Sequence, residues 1–398
     1  MAITQVTDYE KCCGCSVCES VCPQSCITMQ VNKEGFLYPI INKDKCIDCS
    51  LCIKSCPINE CPEITTEHKN FKQKVYACRN NSDKILMKSS SGGLFFELAK
   101  KVIEEKGSVF GAAFDIEHYV HHIKVTSIKD LNLLLGSKYV QSNKQNIWPE
   151  VKQELKNGKK VLFSGTPCEI GALRSYLKKN YDNLLCVDFI CMGVPSPLIW
   201  HQYISTLENK YNSHALHISF RSKKYGAHTH SLSIDFENGK HYWRAQYADP
   251  YVKGFHSRLY LRKSCHNCSY KKAHRESDIT LADFWGIQRT NIPIPTTKGV
   301  SMIILQSPKG ENIYKQIKEN FETYESNIET ALKLQPMLIS SCTASPYRNK
   351  FYKDILEDKK RSFLHIMTKY ASIHKTDILK SFLKQNSFLR HIVRILKR

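Results

Sequence analysis

"KCCGCSVCESVCP", Lys11 to Pro23, sets cysteines at 12, 15, 18 and 22 with a proline after the last, and "KCIDCSLCIKSCP", Lys45 to Pro57, repeats the arrangement at 46, 49, 52 and 56. Both runs fit C-x2-C-x2-C-x3-C-P, a spacing that wraps a chain around iron–sulfur cubes. The reason is reach. Three closely spaced cysteines cap three corners of one cube as the chain curls, while the fourth, set apart by the proline turn, points away to complete the other.

On that rule one cluster takes Cys12, Cys15, Cys18 and Cys56, and the second takes Cys46, Cys49, Cys52 and Cys22. The two arms resemble the bacterial two-cluster ferredoxin module, and the match runs through both without a gap. The competing assignment is a pair of zinc knuckles, but zinc sites normally pair two C-x2-C units rather than repeating a run of three with a Cys-Pro. Between the arms, "ITMQV" and "FLYPII" flank "NKEG", which predicts a hairpin turning at Asn32–Gly35. Cys13 and Cys26 are spare, and Cys26 is expected to be a small buried residue.

A chain of 398 residues holds two or three domains. Its 42% hydrophobic and 24% charged residues are ordinary for a soluble globular protein. Apolar runs such as "VFGAAF" fall far short of the roughly 20 residues of a membrane span. The start, "MAITQVTDYEKCC", lacks the basic and apolar regions of a secretory signal, so a cytoplasmic location is expected. In a long cytosolic chain the 18 cysteines point to metal rather than to disulfides. The formal charge of +21 falls to about +17 with two four-thiolate cubes and about +15 with three.

From Val75 the chain changes character. "VYACR" and "SVFGAAFD" read as strands around a helix, "LFFELAKKVIEEKG", opened by "SSSGG". Such a turn favours a phosphate group, though an ordinary serine cap reads the same way. "KKVLFSGTPCEIGALRSYL" reads strand, turn, helix, with Cys168 at the helix start, a location expected to favour the thiolate. "LLCVDFICMGVPSP" repeats the plan with Cys191. Both cysteines end strands, where open α/β sheets place their ligands. Cys265 and Cys268 form a later C-x2-C. These four suffice for a third cubane, but zinc, a redox dithiol or unrelated buried thiols fit the spacing too.

"SSSGGL", "GSKYVQS", "LFSGTPCEIGALR", "DFICMGVPSP", "LYLRKSCHNCSYK" and "SDITLADFWG" occur in this order, followed by "KGVSMIIL". Together they resemble the coenzyme F-420 hydrogenase/dehydrogenase beta-subunit family. The resemblance implies an α/β flavoprotein holding FAD beside a [4Fe–4S] cluster. It implies Ser90, Ser91, Gly92 and Gly93 on the flavin's phosphate side, and Lys138 and Tyr139 in the flavin pocket. Cys168, Cys191, Cys265 and Cys268 would ligate the third cluster. Asp283 and Trp285 are candidates for a wall of the site, although a Trp is more often core. His228 and His230 are candidate proton donors, with a solvated His-rich strand as the plainer reading.

The resulting expectation is an α/β (α+β) chain. It has a ferredoxin-type domain over 1–60, a linker over 61–75, a mixed α/β flavoprotein domain over 76–335 and a basic helical tail over 336–398. From Tyr347 to Arg398 there are 14 Lys and Arg against 4 Asp and Glu. The tail therefore either lies on a membrane surface or an acidic partner, or packs on the body with a solvated basic face. No nucleic-acid motif appears. The expected activity is an oxidoreductase that takes electrons from a soluble donor such as ferredoxin and passes them through clusters and FAD to a deazaflavin-like or other small organic acceptor. The alternative is a non-catalytic electron-transfer subunit serving a partner enzyme, and no catalytic acid or base stands out.

Overall fold

The computed structural model describes residues 5–60, 66–224, 226, 230–358 and 360–385. The N-terminal module is built on an antiparallel hairpin, β1 (Ile27–Val31) and β2 (Leu37–Ile41), flanked by two one-turn helices, Val17–Ser20 and Leu51–Lys54. The predicted turn forms: the Asn32 side chain accepts from the Glu34 and Phe36 N–H groups, and Gly35 has φ +86°. Glycine is also needed there because a Cβ would lie 2.3 Å from the Leu198 Cβ, where the hairpin meets the body.

The body is an eight-stranded sheet. Its strands are β3 (Lys74–Asn80), β4 (Ser108–Phe114), β5 (Val120–Val125), β6 (Val161–Gly165), β7 (Leu184–Phe189), β11 (Ile279–Asp283), β12 (Ser301–Leu305) and β13 (Phe321–Ser326), in the order β13-β3-β12-β11-β7-β6-β4-β5. The four central strands β4, β6, β7 and β11 are parallel, and the outer pairings on both sides are antiparallel. Parallel strands must be covered on both faces. Leu162, Leu185 and Val187 face Leu98 and Val102 of the helix Leu94–Glu104, while Phe163, Leu184 and Cys186 face Trp148, Ile170 and Leu173 of two other helices. The same face buries Cys15 and Val17 of the N-terminal module.

A smaller antiparallel sheet, β8 (Ala215–Ser222), β9 (Ser231–Phe236) and β10 (His241–Ala245), packs on the helix Pro197–Tyr211. The tail contributes the helices Arg348–Glu357, Phe363–Tyr370 and Lys375–Gln385. Phe351, Tyr352, Ile366, Met367 and Tyr370 enter the same core as Trp200 and Tyr251, so this part of the tail is packed on the body. Leu379 and Phe382 on the last helix are exposed, and the apolar Ile392, Val393 and Leu396 lie outside the described residues. Between the N-terminal module and the body, residues 61–65 also lie outside them. Thr66–Asn70 is a short helix rather than unpatterned chain, because its His68 is buried 3.5 Å from the Asp278 carboxylate. Among the described residues no helix is long and apolar enough to cross a membrane.

One buried ion pair ties tail to hairpin. Arg348 donates to both Glu34 oxygens at 2.8 and 2.6 Å and also to the Leu261 carbonyl. Arg348→Ala leaves a buried carboxylate unpaired, a change that costs about 3–5 kcal/mol. The expected result in chemical denaturation is a loss of that order, with hydrogen exchange rising first across residues 27–41.

Candidate metal centres and an adjoining basic pocket

All described cysteines are free thiols, and twelve of them gather at three places. The first cavity is lined by Cys12, Cys15, Cys18 and Cys56 with Met29, Pro39 and Ile58. The second is lined by Cys22, Cys46, Cys49 and Cys52 with Ile27 and Ile41. The partition matches the exchange of fourth cysteines read from the spacing. Cys12, Cys15, Cys18 and Cys56 are all buried, whereas Cys49 is exposed, so the second cavity is the outer one. Cys26 is buried beside it, its sulfur 3.3 Å from that of Cys22.

The third cavity lies over the C-terminal ends of β6 and β7 and is lined by Cys168, Cys265, Cys268, Cys13, Gln141, Arg262 and Tyr270. Cys168 sits at the start of the helix Pro167–Leu177, and the turn Lys263–Asn267 carries Cys265. Cys191 follows β7, and its thiol interacts with those of Cys168, Cys265 and Cys268. Gly193 (φ +149°) permits this convergence, since a Cβ there would lie 3.0 Å from the Cys265 Cβ. The Val194 N–H donates to the Cys265 sulfur at 3.4 Å.

The expected thiolate at Cys168 does not hold for the metal-free chain. Contact with the Cys13 thiol, then burial, push it well above the ordinary thiol range. Burial likewise pushes Cys191 up to about 12 and Cys268 up to about 11. The helix N-terminus is outweighed by desolvation and crowding of like groups. Such thiols are inert alone, and a metal must displace their protons. The soft sulfur donors gathered at each place suit an iron–sulfur cluster.

Glu169 also lines the third cavity but is already engaged. Its Oε1 accepts from Lys144 Nζ at 2.7 Å and its Oε2 from the Thr166 N–H at 2.8 Å. Burial opposes its ionisation, but Lys144 prevails and brings it down to about 2.

A group of buried charged side chains gathers around Arg221 and Lys223. Arg221 on β8 makes a two-armed pair with Asp283 at 2.7 and 2.7 Å, and its Nη1 lies 3.3 Å from the Tyr139 hydroxyl. Lys223 donates to the Leu86 and Ser91 carbonyls at 2.7 Å each, and burial pushes it down to about 8. His230 is buried rather than solvated. It packs on Arg221 and edge-on to Trp285, and burial pushes it down to about 3. Trp285 is 48% exposed and so is not core. His228 lies outside the described residues.

The serine–glycine loop is drawn into the same neighbourhood. Ser90 Oγ accepts from the Ser137 N–H at 2.7 Å, joining "SSSGG" to "GSKYVQS". Ser91 donates to the Val300 carbonyl, and the Gly92 N–H donates to Ser301 Oγ. A Cβ on Gly92 would lie 2.3 Å from the Cys78 carbonyl, and Gly93 has φ +87°. These glycines let the loop lie against the strand ends, and the buried Ser89 hydroxyl has no partner among the described residues. Lys138 donates to the Leu133 and Leu135 carbonyls at 2.9 Å each, and burial pushes it down to about 7. Sequence reading missed Arg221 and Lys223. Their only signal is a pair of cations on the apolar-flanked strand end "ISFRSK".

Residues 158–331 match the family described as the C terminus of the coenzyme F420 hydrogenase/dehydrogenase beta subunit, and residues 11–59 match the 4Fe-4S dicluster domain. No curated protein matches the chain. One similar solved structure is the F420-reducing [NiFe] hydrogenase complex from Methanosarcina barkeri, at 16% identity and a TM-score of 0.44, covering 69% of this chain and 96% of that one.

Glu169→Gln leaves Lys144, 1% exposed, without its anion, and about 3–5 kcal/mol of stability is expected to be lost at neutral pH. The Glu169 value is lowered on folding from 4.5 to about 2. Its contribution is therefore complete above about pH 4.5 and is lost as pH falls through about 2. Denaturation curves of wild type and variant should converge over that acid window.

Proposed function

We propose that this chain, which belongs over residues 158–331 to the coenzyme F-420 hydrogenase/dehydrogenase beta-subunit family and carries a 4Fe–4S dicluster domain ahead of it, is an iron–sulfur flavoprotein reductase. The observation that carries the reading is continuity. Cys13 and Ile58 line both the first and the third thiol cavity. Gln141, in the wall of the third, is two residues from Tyr139, which contacts Arg221 in the basic pocket. Two residues span at most about 7 Å of chain.

Cys12, Cys15, Cys18 and Cys56 would hold one [4Fe–4S] cluster, Cys22, Cys46, Cys49 and Cys52 a second, and Cys168, Cys191, Cys265 and Cys268 a third. FAD would occupy the basic pocket, with Ser89 and Ser90 toward its phosphates and Tyr139, Arg221 and Trp285 around its ring. When bound, the clusters supply one-electron transfer, and the flavin couples single electrons to the two-electron reduction of an organic acceptor. The residues of the chain set what these groups can do. Exposed Cys49 offers the outer site to a soluble one-electron donor, and the buried inner thiols exclude water. The Arg221–Asp283 pair holds a guanidinium plane beside Tyr139. The exposed face of Trp285 supports a second reading, in which the pocket is covered by a partner enzyme that owns the substrate site.

Anaerobically prepared protein is expected to contain about 12 irons per chain, against about 8 for the dicluster domain alone. Cys168→Ser should remove about 4, and an unchanged iron content in that variant sinks the third cluster. Separately, denaturation should release about one FAD per chain. Arg221→Gln should lower flavin content severalfold at constant iron, and flavin-free protein after anaerobic reconstitution with FAD would end the flavoprotein reading.

A further inference from the structure

Between the first and third thiol cavities stands Arg262, fully buried and three residues before Cys265. It lines the third cavity and reaches the first, where Nη2 lies 3.6 Å from the Cys12 sulfur and Nε donates to the Cys12 carbonyl at 2.7 Å. The remaining donors go to the Leu37 carbonyl at 2.9 Å and to Gln141 Oε1 at 3.1 Å. The guanidinium lies over the Tyr38 ring, 4.1 Å from its centroid. Gly14 (φ +67°) leaves it room, since a Cβ there would be 2.6 Å from Nη1.

The charge balance is what sets this arginine apart. Buried Arg221, Arg275 and Arg348 each pair with a carboxylate, Asp283, Asp188 and Glu34 respectively. Among the described residues no carboxylate pairs with Arg262; its partners are carbonyls, an amide, a sulfur and aromatic rings. An uncompensated buried cation is costly. Thiolate-held clusters are net anions, and this cation touches a ligand of the first and lines the cavity of the third.

We propose that Arg262 is the shared counter-cation of the two inner clusters and the positioning residue that makes inward electron transfer favourable; this rests on the three-cluster reading above. Reduction adds one negative charge to a cluster, and a buried cation with an N–H···S contact stabilises the reduced form and raises the potential. The cations beside the outer cluster, such as Lys43 and Lys45, are exposed, and solvent and salt screen them. With clusters bound, an electron supplied at the exposed Cys49 side by an external one-electron carrier would be favoured to pass from the outer cluster to the inner pair, the outer losing the one electron that the inner pair gains.

The test is an EPR-monitored redox titration of the full anaerobic chain, with the outer signal assigned by its loss in Cys49→Ser. Arg262→Gln should move the first- and third-cluster signals to more negative potential and leave the outer one in place. Arg262→Lys keeps the charge but not the fork, so its first-cluster shift should have the same direction and its third-cluster shift should be smaller. Inner potentials unchanged in both variants, or all three signals moving together, overturn the proposal. If Arg262→Gln fails to hold iron, Arg262→Met decides in its place, since it too removes the charge, and a first-cluster signal at the wild-type potential overturns the proposal. An iron content of about 8 in the wild type removes the third cluster and with it the functional reading, while the first-cluster shift still judges the arginine.

Discussion

Loops that wrap a metal cluster spend their backbone on curvature, so their carbonyls find few partners in helices or strands. The rest of the structure depends on how those carbonyls are satisfied. Among the described residues of the N-terminal module the helices flanking the cysteine runs are single turns. The body supplies the missing donors: Trp148 to Cys15, Arg262 to Cys12, Gln141 to Cys13, Ser175 to Ser55 and Tyr270 to Pro57, all between 2.7 and 3.0 Å. A buried carbonyl left unpaired costs free energy comparable to a lost hydrogen bond. The module is thus completed by the domain it packs on, and the seam between them is fixed atom by atom.

That seam explains why some of the site was legible and some was not. The twofold Cys-Pro run specifies its own partition, because ligand spacing is a local property of the chain. The strands ending near Cys168 and Cys191 were legible for a related reason: apolar strand, tight turn and helix follow each other directly in sequence. The convergence of these two cysteines with Cys265 and Cys268 was not a local property. It needed the parallel alignment of β6 and β7 and the close approach at Gly193, and only the motif resemblance pointed to it. Cys13, set aside as spare, proves to be the wall shared by two cavities, a role that no spacing rule encodes.

The buried cations were the least legible feature. Arg221 and Lys223 follow no period or quoted motif, and Arg262, though inside the Cys265 motif, carries no sign there of what it faces; their meaning comes from what the fold sets opposite them. His230 shows the same limit from the other side. A His-rich stretch reads as a solvated strand, yet the ring is buried between Arg221 and Trp285 and kept neutral by burial. Cys168 was misjudged because a helix N-terminus acts over one turn, while desolvation and a neighbouring thiol act at contact.

Exposure then orders the three thiol sets. Cys49 is open to solvent and the first set is enclosed. The third shares Cys13 and Ile58 with the first, so the two inner sets stand wall to wall while the outer set meets solvent. The dicluster match spans residues 11–59 and the family match residues 158–331. The hydrogen-bonded seam is what joins the two matched regions into one structure.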